Sequence, residues 1–260
     1  MPSLQALIFD VDGTLADTER HGHRVAFNQT FAAAGLDWHW SEERYGQLVE
    51  IGGGKERILH YINHDRPQFP PPPPPQTLES WVAGLHQDKS QRYGDLLRQG
   101  HLPPRPGVQR LIQEARSAGV RLAIATTSAL PNALAVLETA LGSASAAWFE
   151  VIAAGDVVAQ KKPAPDIYRY VLERMGLPAS ACMAIEDSAQ GLRSAMAAGL
   201  STVITTNGYT EHQDFTGAAW VLRDLGEPDR PCQVLQGSPL PQGYLTLGDL
   251  QGDRSQFFSP

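Results

Sequence analysis

From Gly107 onward the chain repeats one pattern: a short apolar run, a loop, and a helix of about ten residues. The runs Val120 to Ala125, Val151 to Ala153, Cys182 to Ile185 and Thr202 to Thr205 have strand length. Between them, Pro131 to Leu141 reads as a helix with proline in its first turn, where the missing N–H does no harm. Asp166 to Met175 reads as a helix closed by Gly176, and Gln190 to Ala198 as another. Ahead of the series, Gly107 to Ala118 carries Val108, Leu111, Ile112 and Ala115 at i, i+3, i+4 and i+7, one face of a helix. Strands joined by helices run parallel, because a parallel pair needs a long crossover rather than a hairpin. The pattern therefore predicts an α/β fold, a Rossmann-like parallel-sheet core whose first strand is the run Leu4 to Phe9.

Between that strand and Gly107 the texture changes. Apolar positions recur at helical spacing (Val25, Phe31 and Leu36; Leu48, Ile51, Ile58 and Ile62), with no strand signal. A helical insertion over 17–103 is expected, with 1–16 and 104–260 forming the core. The run Pro70 to Pro75 fits neither helix interior nor sheet centre and reads as a polyproline II spacer at the surface. After Gly226 the chain is rich in Pro, Gly and Gln, so 226–260 is expected to be an irregular tail. Lysine and arginine number 21 against 28 acidic residues, a net charge of −7. That balance argues against broad nucleic-acid binding, which neutralises phosphates with many cations, but not against a small anion held by a local cluster. No run approaches the roughly 18 apolar residues of a membrane helix, and Leu4 to Phe9 is too short and lacks the basic lead of a signal peptide. Cys182 and Cys232 are too few for a disulfide framework. A cytoplasmic monomer is expected, with neither a membrane nor a nucleic acid as partner.

In parallel sheets ligands bind outside the carboxyl ends of the strands, so the residues at those ends carry the chemistry. The first strand ends in Asp10-Val11-Asp12-Gly13-Thr14, the next in Thr126-Thr127-Ser128; Lys161-Lys162-Pro163 fills a later loop, and Glu186-Asp187-Ser188 follows the strand Cys182 to Ile185. Taken singly, these motifs are a turn, a helix cap and a solvated face. At successive ends of one sheet they fit phosphoryl transfer. Asp10 is the candidate nucleophile and Asp12 the general acid/base. Acids held close repel unless a cation lies between them, and Mg²⁺ takes hard oxygen ligands. Asp10, the backbone carbonyl of Asp12 and Asp187 are the expected ligands, with Glu186 behind them. Thr126 and Lys162 would compensate charge on the transferring phosphoryl group.

In order and spacing, Asp10-Val11-Asp12-Gly13-Thr14, Thr126, Lys162-Pro163 and Glu186-Asp187 resemble the four motifs of the haloacid dehalogenase superfamily, whose helical cap the insertion resembles in turn. A narrower set is similar to the CbbY-type phosphatases: Asp17-Thr18-Glu19 with Gly22-His23-Arg24, Gly52-Gly53-Gly54-Lys55-Glu56-Arg57, His86-x-x-Lys89, Thr126-Thr127-Ser128 with Asn132, and Lys161 to Tyr168. That resemblance implies a Mg²⁺-dependent hydrolysis of xylulose-1,5-bisphosphate to xylulose 5-phosphate. It also implies substrate contacts from Glu19, His23, Gly53, Gly54, Lys55, Glu56, Arg57, His86, Lys89, Thr126, Thr127, Ser128 and Asn132, besides Asp10 and Lys162. A second phosphate needs cations away from the metal, and Lys55, Arg57 and Lys89 offer them beside glycines that let a ligand approach the backbone. A sugar phosphomutase of the β-phosphoglucomutase type and a non-catalytic sugar-phosphate sensor remain as alternatives at this point.

Overall fold

The computed structural model describes residues 3–51, 53–70, 72–99 and 102–252; Gly52, Pro71 and the last eight residues of the tail lie outside the described residues. The chain forms two compact units, Met1–Asp17 with Leu102–Pro260, and Thr18–His101. In chain order the elements are β1 (Ala6–Phe9), α1 (Arg24–Ala33), α2 (Glu42–Val49), α3 (Gly54–Asp65), α4 (Leu78–Arg98), α5 (Val108–Ser117), β2 (Arg121–Thr126) and α6 (Leu130–Leu141). They continue with β3 (Val151–Ala154), α7 (Asp166–Met175), β4 (Cys182–Glu186), α8 (Ala189–Ala197), β5 (Ser201–Thr205), β6 (Trp220–Leu222), β7 (Val234–Gln236) and α9 (Leu247–Gln251).

In the first unit the strands form one sheet in the order β3-β2-β1-β4-β5-β6-β7. β1 pairs in parallel with β2 on one side and β4 on the other, Phe9 standing opposite both Ile124 and Ile185. The chain order reverses there, so the loops leaving β1, β2 and β4 diverge and open a crevice at the carboxyl ends. Successive side chains point to opposite faces. Ala6, Ile8, Ala123, Ala125, Cys182 and Ala184 pack with Ile167, Tyr168, Val171 and Met175 of α7, and Leu7, Phe9, Leu122, Ile124, Met183 and Ile185 are buried too. Strands buried on both faces read as continuous apolar runs rather than as alternation. Each buried Leu, Ile or Phe contributes roughly 1.5–3 kcal/mol.

The stretch expected to be irregular carries structure. β7 pairs antiparallel with β6, Leu222 opposite Val234 and Val221 opposite Gln236. α9 opens on a capping box of Thr246 and Asp249, and Leu245, Leu247 and Leu250 are buried. Long-range polar contacts hold this segment on α5: Glu227 accepts from the Gly107 N–H at 2.8 Å and from Arg110 at 3.1 Å, and the Leu247 N–H donates to Glu114 at 2.8 Å. Composition misled because its Pro and Gly residues make turns between very short elements, and its leucines are too sparse to show a period.

The second unit is helical and has an aromatic core. A π-helical turn, Glu19–His23, leads into α1. Trp40 lies 4.6 Å from Phe27 and 4.8 Å from Phe31 between ring centroids, and Asn28 clamps its backbone, donating to Trp40 O at 3.0 Å and accepting from Trp40 N–H at 2.8 Å. Phe69 packs on Trp81 and Trp38, at 5.3 and 5.0 Å. It anchors the chain just ahead of the proline run, where Pro70, Pro73, Pro74 and Pro75 are exposed. Among the described residues no helix is long and apolar enough to cross a membrane.

Leu245→Ala and Leu250→Ala are each expected to destabilise the protein by about 2–5 kcal/mol, read by urea unfolding followed by circular dichroism. Unchanged unfolding curves for both would mean that the tail does not pack.

Candidate active site

Lys162 stands at the centre of the crevice. Its ammonium donates to Asp10 Oδ1 at 2.7 Å, Glu186 Oε1 at 2.5 Å and the Ala125 carbonyl at 2.8 Å, so each of its three hydrogens has an acceptor. Tyr168 donates to the same Glu186 oxygen at 2.5 Å. Asp10, Glu186 and Asp187 are buried, and carboxylate oxygens of the three lie within 4.8 Å of one another. Burial lifts Asp10 to a pKa of about 7 against the pull of Lys162, with Glu186 and Asp12 adding repulsion. Burial also holds Asp187 well above the usual carboxylate range, reinforced by Asp10 and Glu186. For Lys162 burial works against the charge, but Asp10 and Glu186 outweigh it and raise the ammonium pKa above its ordinary value. Tyr168 is raised by burial first and by Glu186 second.

These groups fit a divalent cation. One ammonium faces three buried carboxylates, and the raised pKa values of Asp10 and Asp187 show a charge deficit that a hard cation would relieve. Asp10 and Asp187 are the natural ligands. Glu186 joins the cluster, but its Oε1 is engaged by Lys162 and Tyr168, which places it as the group that aims the lysine. Gly191 makes room for it: a Cβ there would stand 1.9 Å from Glu186 Oε2.

The Asp12 side chain turns to the β2 loop, where its Oδ2 accepts from the Ser128 hydroxyl. Thr126 Oγ1 accepts from the Ser128 N–H at 3.2 Å, so one serine links both motifs. Thr127 is exposed, and Asn132 is half-buried in the first turn of α6. Two groups were missed by the sequence reading. Asn207 donates to Asp187 Oδ2 at 2.7 Å, and extending the strand-end logic to β5 would have reached it. Arg105, which touches Gly13, Thr205 and Thr206, follows a Pro-Pro pair and carries no sequence signal.

The remaining expected residues belong to the helical unit and form two groups. In one, Lys89 is buried with its ammonium 2.7 Å from His23 Nδ1 and 4.8 and 5.2 Å from the ring centroids of Phe27 and Tyr93, while His23 stacks on Tyr93 at 3.8 Å. His86 lies against Gly54, where a Cβ would meet its Nε2 at 2.4 Å. Burial, with Lys89 and Lys55 behind it, lowers His86 to about 4, so its ring is neutral at neutral pH. Lys55 and Glu56 are exposed in the first turn of α3, after Gly53 in a positive-φ conformation. In the other group Glu19 accepts from the Tyr45 hydroxyl at 2.5 Å. Arg57, expected as a cation for a ligand, directs its guanidinium to Tyr45 Oη at 2.9 Å, Ile51 O at 2.9 Å and Val49 O at 3.2 Å, with Glu19 at 3.5 Å. Those bonds brace the loop ahead of α3.

A family model for haloacid dehalogenase-like hydrolases matches residues 4–199. The chain belongs to that family. It is 49% identical over 222 residues to the CbbY protein of Rhodobacter capsulatus, covering 85% of this chain and 94% of that one. Over 224 residues it is 45% identical to CbbY of Cereibacter sphaeroides, covering 86% and 94%. A crystal structure of a CbbY mutant from Rhodobacter sphaeroides in complex with xylulose-(1,5)bisphosphate matches with a TM-score of 0.74 at 44% identity, over 85% of this chain and 94% of that chain. This haloacid dehalogenase-like hydrolase is thus a phosphatase.

Gly191→Ala is expected to push the Glu186 carboxylate aside and lower phosphatase kcat by about 10- to 100-fold. Gly84→Ala, in α4 where a Cβ meets nothing within 4 Å, should leave kcat unchanged and stabilise by about 0.5–1 kcal/mol. Matching kinetics for the two variants would mean that Glu186 does not need its present place.

Proposed function

We propose that this phosphatase hydrolyses xylulose-1,5-bisphosphate to xylulose 5-phosphate and phosphate with Mg²⁺ bound. The supporting observation is the buried Asp10 carboxylate, fixed by Lys162 inside a cluster short of positive charge. Asp10 attacks phosphorus and the bond to the sugar oxygen breaks, leaving an aspartyl phosphate on Asp10. Asp12 gives its proton to the departing oxygen, then takes one from the water that attacks the aspartyl phosphate and frees phosphate. Asp10 and Asp187 would hold the Mg²⁺, which supplies charge neutralisation at the transferring group. Lys162 keeps Asp10 in place throughout and adds charge at the same locus.

The bisphosphate preference draws on the helical unit. Lys55, beside the N–H groups that open α3 after Gly53, and the buried Lys89 are the cations assigned to the second phosphate. Neutral His86 can donate or accept a hydrogen bond there without adding charge. Arg57 acts on the same loop from behind, through Val49 and Ile51, and Glu19 acts with it. Transfer to water rather than to a second sugar hydroxyl is the reading adopted, and release of free phosphate from the bisphosphate separates hydrolysis from phosphomutation.

Chelation by EDTA should abolish turnover, and Mg²⁺ should restore it. Because Asp10 in the metal-free site holds its proton up to about pH 7, the cation must displace it below that pH. Mg²⁺ affinity is then expected to weaken as pH falls below neutrality, by about tenfold per pH unit for the Asp10 proton and more steeply wherever Asp187 also carries one. Calorimetric titration with Mg²⁺ across this range checks the slope, and affinity independent of pH would remove Asp10 from the metal site. Lys55→Ala should raise KM for the bisphosphate by about tenfold or more while moving KM for a small monophosphate by less than about twofold. Equal shifts for both substrates would take Lys55 out of the second-phosphate assignment.

A further inference from the structure

Arg105 lies outside every motif described above, at the point in the chain where the core unit resumes. Its N–H donates to Leu15 O at 2.8 Å, and the neighbouring Pro104 bridges to Ala16. Through Nη1 its guanidinium donates to Gly13 O, to Thr205 O at 2.9 Å and to Thr205 Oγ1 at 3.1 Å. Through Nη2 it donates to Thr206 O and to Arg223 O at 2.8 Å. One planar cation thus ties together the loop after β1, the end of β5 and the end of β6. The rigid fork of a guanidinium can reach several diverging carbonyls at once, which a single ammonium nitrogen cannot.

Two of those carbonyls adjoin groups of the site. Gly13 follows Asp12, and its Cα comes so near the metal-site carboxylate that a Cβ would stand 2.2 Å from Asp187 Oδ2 and 2.9 Å from Asn207 Nδ2. Thr206 precedes Asn207, which donates to Asp187 Oδ2 at 2.7 Å. Arg105 therefore grips the backbone on either side of the Asp187 carboxylate without touching any reacting atom.

We propose that Arg105 is a positioning residue for phosphoryl transfer: by fixing the Gly13 carbonyl to the ends of β5 and β6 it holds the Asp12 carboxyl in register with Asp187. The proposal rests on Asp12 being the general acid. A sugar leaving group needs that proton, whereas p-nitrophenolate departs without one, so the ratio of kcat/KM on the two substrates reads the placement of Asp12. Arg105→Ala should lower kcat/KM on the sugar bisphosphate by about 10- to 100-fold and on p-nitrophenyl phosphate by less than about fivefold. Guanidinium chloride at non-denaturing concentration should restore much of the loss, and Arg105→Lys should recover only part of it. Equal losses on both substrates, no loss at all, or a loss that guanidinium leaves unrepaired would each overturn the proposal. Asp12→Asn, measured alongside, keeps the two readings apart. If that variant shows no leaving-group dependence, the acid assigned to Asp12 is wrong, and guanidinium rescue alone then decides whether Arg105 positions the site.

Discussion

Three acceptors surround the Lys162 ammonium, and each arrives from a different strand: Asp10 just past β1, Ala125 within β2, Glu186 at the end of β4. The convergence follows from the sheet order, which puts β1 between β2 and β4. Removing one member of a buried ion pair leaves its partner uncompensated, at roughly 3–5 kcal/mol. No member of this cluster can therefore change alone. Even intact, the cluster sets one lysine against three carboxylates, and burial pushes Asp10 and Asp187 towards their protonated forms. The fold thus maintains a destabilising concentration of carboxylates at the one place where the chemistry requires it, and the two buried apolar faces of the sheet supply the stability that offsets it.

The helical unit handles charge by other means. Lys89 is buried against the faces of Phe27 and Tyr93, with its ammonium 2.7 Å from a nitrogen of His23. Contacts of this kind with ring faces hold a cation at about 0.5–2 kcal/mol each. His86, kept neutral by burial and by the nearby lysines, adds no competing positive charge. In the core a cation is held between carboxylates; here one lies against aromatic rings. The two arrangements correspond to the different tasks proposed for them, reaction at one phosphate and recognition of another.

How much of this was legible depended on whether the signal was local. The parallel sheet and its helices were plain in the sequence because strands buried on both faces need unbroken apolar runs, and the helices between them show a 3.6-residue period. Asp10, Lys162, Glu186 and Asp187 could be found because strand ends in such a sheet converge whatever the side chains are. Arg57 shows what spacing does not carry. Its charge and its place beside glycines suggest a ligand cation, and its bonds to Tyr45, Val49 and Ile51 are set by how α2 and α3 meet and leave no trace in spacing. The tail failed for a related reason, since β7 and α9 are too short to show periodicity and are held by Glu227, Arg110 and Glu114 across long sequence distances. One cue was available there, a Thr246-x-x-Asp249 cap.

The extent of the family match bears on where the site ends. It stops at residue 199, before β5, β6 and β7. Yet Asn207, beyond β5, holds a carboxylate of the cluster, and the carbonyls of Thr205, Thr206 and Arg223 receive the Arg105 guanidinium. The groups proposed to do the chemistry precede that limit, while part of what surrounds them follows it. A sheet explains the division: residues that do chemistry must reach the switch point and so come from the central strands, but their precision depends on the adjacent strand ends, which any chain can supply with different side chains. In this phosphatase the placing of the proposed acid should therefore be probed at the ends of β5 and β6 as well as at the central strands.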